Sequence, residues 1–161
     1  MIGWLEGVVV LRDPGTNVVV LDVKGVGYEL TVSLQTLQSI PEPGQPGQLW
    51  VRTVVRPEVL VLFGFSTREE RTLFEMLTSV PRVGPRNAIS VLGGFPPADL
   101  VACIAAGEAG TLQKIPGIGK KSSEQIVLSL QDKVDGLALV LGAKPADETP
   151  SETPEDDQAS E

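Results

Sequence analysis

Histidine is absent from the 161 residues and cysteine occurs once. Without imidazole there is no Ser-His or Cys-His nucleophile pair, no imidazole general base and no ordinary zinc site. Catalysis would have to come from paired carboxylates or a lysine. Cys103 cannot form an internal disulfide, and its setting, Leu100-Val101-Ala102-Cys103-Ile104, reads as a small buried apolar residue rather than a reactive thiol. No apolar run reaches the ~18 residues of a membrane span. Met1 to Glu6 has neither the basic flank nor the apolar stretch of a secretory signal. The expectation is a cytoplasmic protein with no cofactor, no metal and no membrane partner.

Positive charge is also scarce, with a net charge of −8. Its location matters more than its size. Asp147, Glu148, Glu152, Glu155, Asp156, Asp157 and Glu161 carry −7 with no base after Pro145, so residues 1–144 come to −1. Between 80 and 133, Arg82, Arg86, Lys114, Lys120, Lys121 and Lys133 outnumber Asp99, Glu108, Glu124 and Asp132. A phosphate-binding face is compatible with that balance.

Three regions follow one another. Residues 1–64 are rich in β-branched runs: Val8 to Leu11, Val18 to Val23, Tyr28 to Val32, Leu49 to Val55 and Val59 to Phe63. Turn residues at Asp13 to Asn17, Lys24 to Gly27 and Pro41 to Gly47 separate them. Five short strands with no long helix predict a small closed barrel, an OB-fold, whose closure removes exposed sheet edges. Trp4 and Trp50 could stack bases on its surface, but their apolar strand patterns favour core or subunit-interface packing.

Residues 66–141 change period and predict an all-α domain. Ser66 with Glu69 resembles a capping box opening a helix to about Thr78, with Leu73, Phe74 and Leu77 facing a core. Further helices are predicted at 85–93, 97–106, 108–114 and 120–134, with Pro85 and Pro97 at helix starts. Residues 142–161 have the composition of a disordered acidic tail.

The most informative motif is Ile115-Pro116-Gly117-Ile118-Gly119-Lys120-Lys121. Gly117 and Gly119 around Ile118 permit a tight turn with outward amides, and the next helix adds unpaired N–H groups and its positive dipole end. Together they form a phosphate socket, with Lys120 and Lys121 as nearby charges and Ile118 as a core plug. This is the helix-hairpin-helix pattern. A bland helix connection is the competing reading, against which the clustered lysines argue. A P-loop is excluded because Lys121 replaces its Ser/Thr and Lys114 its first glycine. Likewise, Gly25 and Gly27 lack the third glycine and helix of a dinucleotide fingerprint. A second, degraded copy stands at Val80-Pro81-Arg82-Val83-Gly84-Pro85-Arg86, with Arg82 in the first glycine's place. If that position needs a positive φ, arginine costs about 1 kcal/mol, unless its side chain supplies the contact instead.

In these blocks the sequence resembles the RuvA family, the junction-binding subunits of the bacterial branch-migration machine. Met1-Ile2-Gly3, Gly25-Val26-Gly27-Tyr28-Glu29, Val54-Val55-Arg56, Leu62-Phe63-Gly64-Phe65, Glu70-Arg71-Thr72-Leu73-Phe74 and Pro116 to Lys121 carry the resemblance, over roughly 1–134. It implies a homotetramer on a four-way (Holliday) junction, or two tetramers enclosing one, in recombination, DNA repair and the SOS response. A RuvB-type ATPase partner supplies the helicase activity, and this chain is not itself an enzyme. The implied DNA-binding residues are Gly117, Ile118, Gly119, Lys120, Lys121, Arg82, Val83, Gly84, Arg86 and Arg56. The family's acidic pin falls at Arg56-Pro57-Glu58, where only Glu58 is acidic and could instead be a solvated turn residue; for Arg56 a phosphate contact near the centre is slightly favoured over pairing with Glu58. The family continues through a linker into a third domain that contacts RuvB, whereas this chain runs into its acidic tail. A junction-binding module acting without the motor is therefore the alternative. A hairpin-containing DNA glycosylase is a weaker one, since Asp132 lies far down its helix and no base-sized pocket is evident.

Overall fold

In the computed structural model, which describes residues 1–141, five strands, with one short helix between the third and fourth, are followed by a set of helices. Strands β1 (Trp4–Asp13), β2 (Val18–Val23), β3 (Val26–Val32), β4 (Pro46–Arg56) and β5 (Val59–Phe65) close in the order β1-β2-β3-β5-β4. All pairings are antiparallel except β3 with β5, where Leu30 opposes Leu62. The predicted barrel is thus observed. The Lys24-Gly25 turn joins β2 to β3 with both residues at positive φ, 52° and 92°, the form that matches strand twist in a two-residue hairpin.

One helix inside this region has no counterpart in the sequence reading. Helix α1 (Leu34–Ser39) crosses from β3 to β4, is N-capped by Ser33, and contributes Leu37 and the following Ile40 to the barrel core. Its six residues are too few for periodicity to reveal. Trp50 packs against the rim of the helical core, whereas Trp4 belongs to neither core. Trp4 is 39% exposed, Trp50 is half-buried, and their rings meet edge-on with centroids 4.7 Å apart.

Strand alternation joins the two regions. On β5, Leu62 points into the barrel, whereas Phe63 and Phe65 face the helices and each lies 5.0 Å from the Phe74 ring. A methyl on Gly64 between them would stand 2.9 Å from Leu49 and 3.1 Å from Leu30, so these buried side chains would have to shift to admit it. The helical core is built from α2 (Arg68–Ser79), α3 (Pro85–Gly94), α4 (Pro97–Ala105), the single turn α5 (Ala109–Leu112), α6 (Lys120–Leu130) and α7 (Asp135–Leu141). Leu73, Phe74 and Leu77 are buried as predicted. The predicted 108–114 and 120–134 helices are shorter than expected, and Leu137, Ala138 and Leu141 form an unforeseen amphipathic turn packed on this core. No single described helix is long and apolar enough to cross a membrane. The predicted acidic tail, 142–161, lies outside the described residues.

The capping assignment shifts by one residue. Thr67, not Ser66, is the N-cap of α2, accepting from the Glu70 N–H at 3.1 Å. The Glu70 carboxylate turns away from its own helix. It is 1% exposed and accepts from the Ser33 hydroxyl, from Thr36 Oγ1 at 2.5 Å and from the Ser66 N–H at 3.3 Å. One carboxylate thus fastens α1, the end of β5 and α2 together. On the opposite side Arg71 donates to the Gly3 carbonyl at 3.2 Å and lies 5.2 Å from the Trp50 ring.

Glu70→Ala leaves the buried Ser33 and Thr36 hydroxyls without their carboxylate acceptor, while the Ser66 N–H keeps Thr36 Oγ1 at 3.0 Å, and is expected to cost about 2–3 kcal/mol in chemical denaturation. Glu75→Ala, which removes only the exposed 3.4 Å pair with Arg52, should cost under about 1 kcal/mol. Burial, with the nearby Glu108 charge second, pushes the Cys103 thiol above its usual range. Iodoacetamide at neutral pH should therefore label Cys103 only after unfolding.

Candidate nucleic-acid interface

The two motif copies adopt the same backbone path. In the second, Ile118 N–H closes a turn onto the Ile115 carbonyl at 3.1 Å, with Pro116 next and Gly117 at φ 86°. In the first, Val83 N–H closes onto the Val80 carbonyl, also at 3.1 Å, with Pro81 next and Arg82 at φ 70°. A proline followed by a positive-φ residue is the type II turn. Arg82 thus occupies a position where glycine is the unstrained choice, as the sequence comparison of the copies anticipated.

The fourth residue of each turn anchors it. Val83 and Ile118 are both 5% exposed and belong to one core. The fifth residue begins the helix: Gly84 caps α3 with φ −86°, ψ 174°, and Gly119 caps α6 with φ −87°, ψ 177°. Neither cap has a side-chain hydrogen bond. The first intrahelical bonds run from Ala88 to Gly84 and from Ser123 to Gly119, both at 3.0 Å. The N–H groups of Arg86 and Asn87, and of Lys120, Lys121 and Ser122, are therefore the unpaired first-turn donors. In the first copy Pro85 removes one such donor at N1.

Gly84 and Gly119 need explanation, since both have negative φ and a methyl on either would meet no atom within 4 Å. Nothing among the described residues demands glycine there. What glycine leaves at both positions is bare backbone on the outside, where an external group can approach closely.

The two loops lie side by side. A methyl on Gly117 would stand 3.5 Å from Asn87 Oδ1 in the first turn of α3. Arg82, Arg86, Lys120 and Lys121 are all exposed. The β4–β5 hairpin extends the same surface, because Arg56 shares a cleft with Gly84, Pro85, Arg86 and Asn87. At the hairpin tip Arg56 pairs in register with Val59, leaving Pro57 and Glu58 as the turn, with Glu58 at φ 67°. No ion pair joins Arg56 to Glu58 among the described residues. The structure thus gathers Arg56, the Arg82–Arg86 segment and the Gly117–Lys121 segment, with Glu58 at the hairpin end.

Sequence reasoning missed Asn87, a half-buried amide between the two loops. Its signal was its place at the third residue of the helix after Gly84, aligned in the repeat with Ser122. No described cluster of His, Cys, Asp and Glu is arranged to hold a metal ion.

Comparison with known proteins agrees with this division. The family described as RuvA N terminal domain matches residues 1–64, and the SAM-like Helix-hairpin-helix tandem matches residues 74–132. Three similar curated proteins are each named Holliday junction branch migration complex subunit RuvA. That of Solibacter usitatus is 42% identical, over 90% of this chain and 71% of its own length. That of Solidesulfovibrio magneticus is 41% identical, over 91% and 72%. That of Legionella pneumophila is 43% identical, over 83% and 67%.

Since strain at a positive-φ side chain is about 1 kcal/mol, Arg82→Gly should raise the melting temperature. Gly117→Ala imposes the same strain on the other turn and should lower it. A fall with Arg82→Gly would show that the arginine side chain stabilises the folded chain itself.

Proposed function

The chain belongs to the RuvA family, and on that premise we propose that it binds four-way DNA junctions through main-chain amides and basic side chains directed at phosphates, without catalysing a reaction itself. The observation that carries this reading is the repeated loop. Two adjacent turns of one geometry each lead into unpaired helix-start amides, each beside exposed bases, and each with a glycine that no described residue requires. A helix N-terminus presents several N–H donors and a partial positive charge to one phosphate. Two such sockets side by side fit consecutive or facing phosphates of one duplex arm. Phosphate contacts hold a duplex without reading its sequence, which suits a junction that must slide.

Arg82 serves this function at the expense of its turn. Where Gly117 offers bare backbone, Arg82 places a guanidinium, able to grip a phosphate with two donors. Arg56 lies nearer the hairpin tip and would meet phosphates closest to the crossover, with Glu58 repelling strands from the tip. Four copies around a four-fold axis would place four arm-binding surfaces about one junction, as the substrate's symmetry asks. Exposed Trp4, Val8, Val10 and Leu11 on the barrel support an assembly, since such apolar exposure commonly marks interaction surfaces. The ATP-driven step would belong to a RuvB-type partner.

Gel-shift titration should favour a synthetic four-way junction over linear duplex of equal length, and binding should weaken steeply with salt. Lys120→Ala with Lys121→Ala should lower affinity while leaving the melt unchanged, and reduce the salt slope by roughly 1 per lysine. Equal affinity for junction and duplex would overturn the reading. Addition of the chain should also stimulate a RuvB-type ATPase on junction DNA, and its absence would favour a motor-independent binder. A solution mass of one protomer would contradict the assembly.

A further inference from the structure

The cleft shared by the β4–β5 hairpin and the first helix-hairpin-helix loop has a chemistry that phosphate binding does not use. Its volume is about 330 Å³, at the small end of the ~300–1,000 Å³ found for small-ligand sites. Val59, Val61 and Phe63 form an apolar floor, while Arg56, Arg86 and Asn87 stand at its edge. Val59 is 50% exposed on the hairpin and faces this open space rather than a core. Neither arginine is held by a carboxylate among the described residues.

We infer that this cleft receives one unpaired nucleobase from the centre of a four-way junction. The inference rests on the junction-binding reading above and adds a site for a base to one for phosphates. An apolar floor with a cationic edge suits a flat, uncharged ring carried on an anionic strand. The base loses little by leaving water for Val59 and Val61, and the guanidinium groups take its flanking phosphates or stack on its face. Asn87 has both an amide donor and an acceptor, enough to meet the mixed hydrogen-bonding edge of a base.

Position narrows the occupant further. The cleft lies between the amides of the first loop, which hold an arm, and the hairpin tip, which lies toward the crossover in the proposed complex. A strand passing from one to the other crosses the opening. Bases within an arm are paired and stacked and cannot enter. A base at the crossover has fewer stacking partners, so taking it out of the helix costs least there. Pro57 and Glu58 leave the tip with a single acid, and Val55, Val59 and Leu60 around it are 70%, 50% and 65% exposed. Strand separation by this hairpin therefore uses apolar capture of a base alongside charge repulsion.

The test uses the full chain and a four-way junction carrying 2-aminopurine either next to the crossover or well inside one arm. Binding should raise the fluorescence several-fold at the crossover position and leave the arm position unchanged. Val59→Phe fills the cleft from an exposed position. It should abolish the rise and weaken junction affinity by about fivefold, the effect of losing one stacked base. A bound junction with no rise, or a rise that survives Val59→Phe, overturns the inference and leaves junction binding intact. Absence of any junction complex would instead overturn the function on which it rests. Val59→Cys provides an independent readout, because Cys103 is buried. The new thiol should be labelled in the free protein and protected once junction is added. Protection before DNA is present would show that a second copy of the chain covers the cleft, which also overturns the inference.

Discussion

The burial of two aliphatic side chains, Val83 and Ile118, in one helical core is the constraint on which the interface depends. Each is the last residue of a proline-containing turn, and each is followed at once by a helix start. Sinking the side chain fixes the turn's orientation, which forces the next amides outward. Because both plugs enter the same core, the loops emerge beside each other rather than at opposite ends of the domain. In the proposed function, phosphate affinity would follow from apolar packing, with lysine and arginine added at the rim. The charge of the chain as a whole has little part in it.

A second level of order links that domain to the barrel. Phe63 and Phe65 leave the barrel wall to pack on Phe74, and the buried Glu70 carboxylate on α2 collects hydroxyl and amide donors from the start of α1 and from Ser66 at the end of β5. The hairpin carrying Arg56 and Glu58 is therefore held at a set distance from the first loop, and the cleft between them is a consequence of that attachment. Geometry at the proposed crossover would be transmitted to the arms through this apolar and carboxylate fastening. Binding of a branched nucleic acid, as proposed, would benefit from such stiffness, since the binding elements would meet several strands at once.

Much of this was legible in the sequence, for identifiable reasons. β-branched runs punctuated by Asp13-Pro14-Gly15 and Lys24-Gly25 marked the strands, and proline-glycine spacing marked both loops and even the positive φ of Arg82. Short or tertiary features escaped. Helix α1 has six residues and owes its place to Leu37 and Ile40 packing in the barrel. Ser66 and Thr67 are both chemically competent caps, and the choice fell to Thr67 because Ser66 serves the Glu70 carboxylate. Trp4 follows an apolar strand pattern yet lies on the outer face beside Trp50, where periodicity alone cannot separate core from surface. The cleft depends on elements far apart in sequence, and no local pattern announces it.

Hydrogen exchange at single-residue resolution, with and without four-way junction, tests the central claim most directly. Lys120, Lys121, Arg86 and Asn87 carry first-turn amides with no intrahelical acceptor, so they should exchange rapidly in the free protein. Saturating junction should slow all four together, while the equally unpaired first-turn amides of α2, at Arg68 and Glu69, keep their rates. Full junction binding with unchanged exchange at both loops would contradict the account.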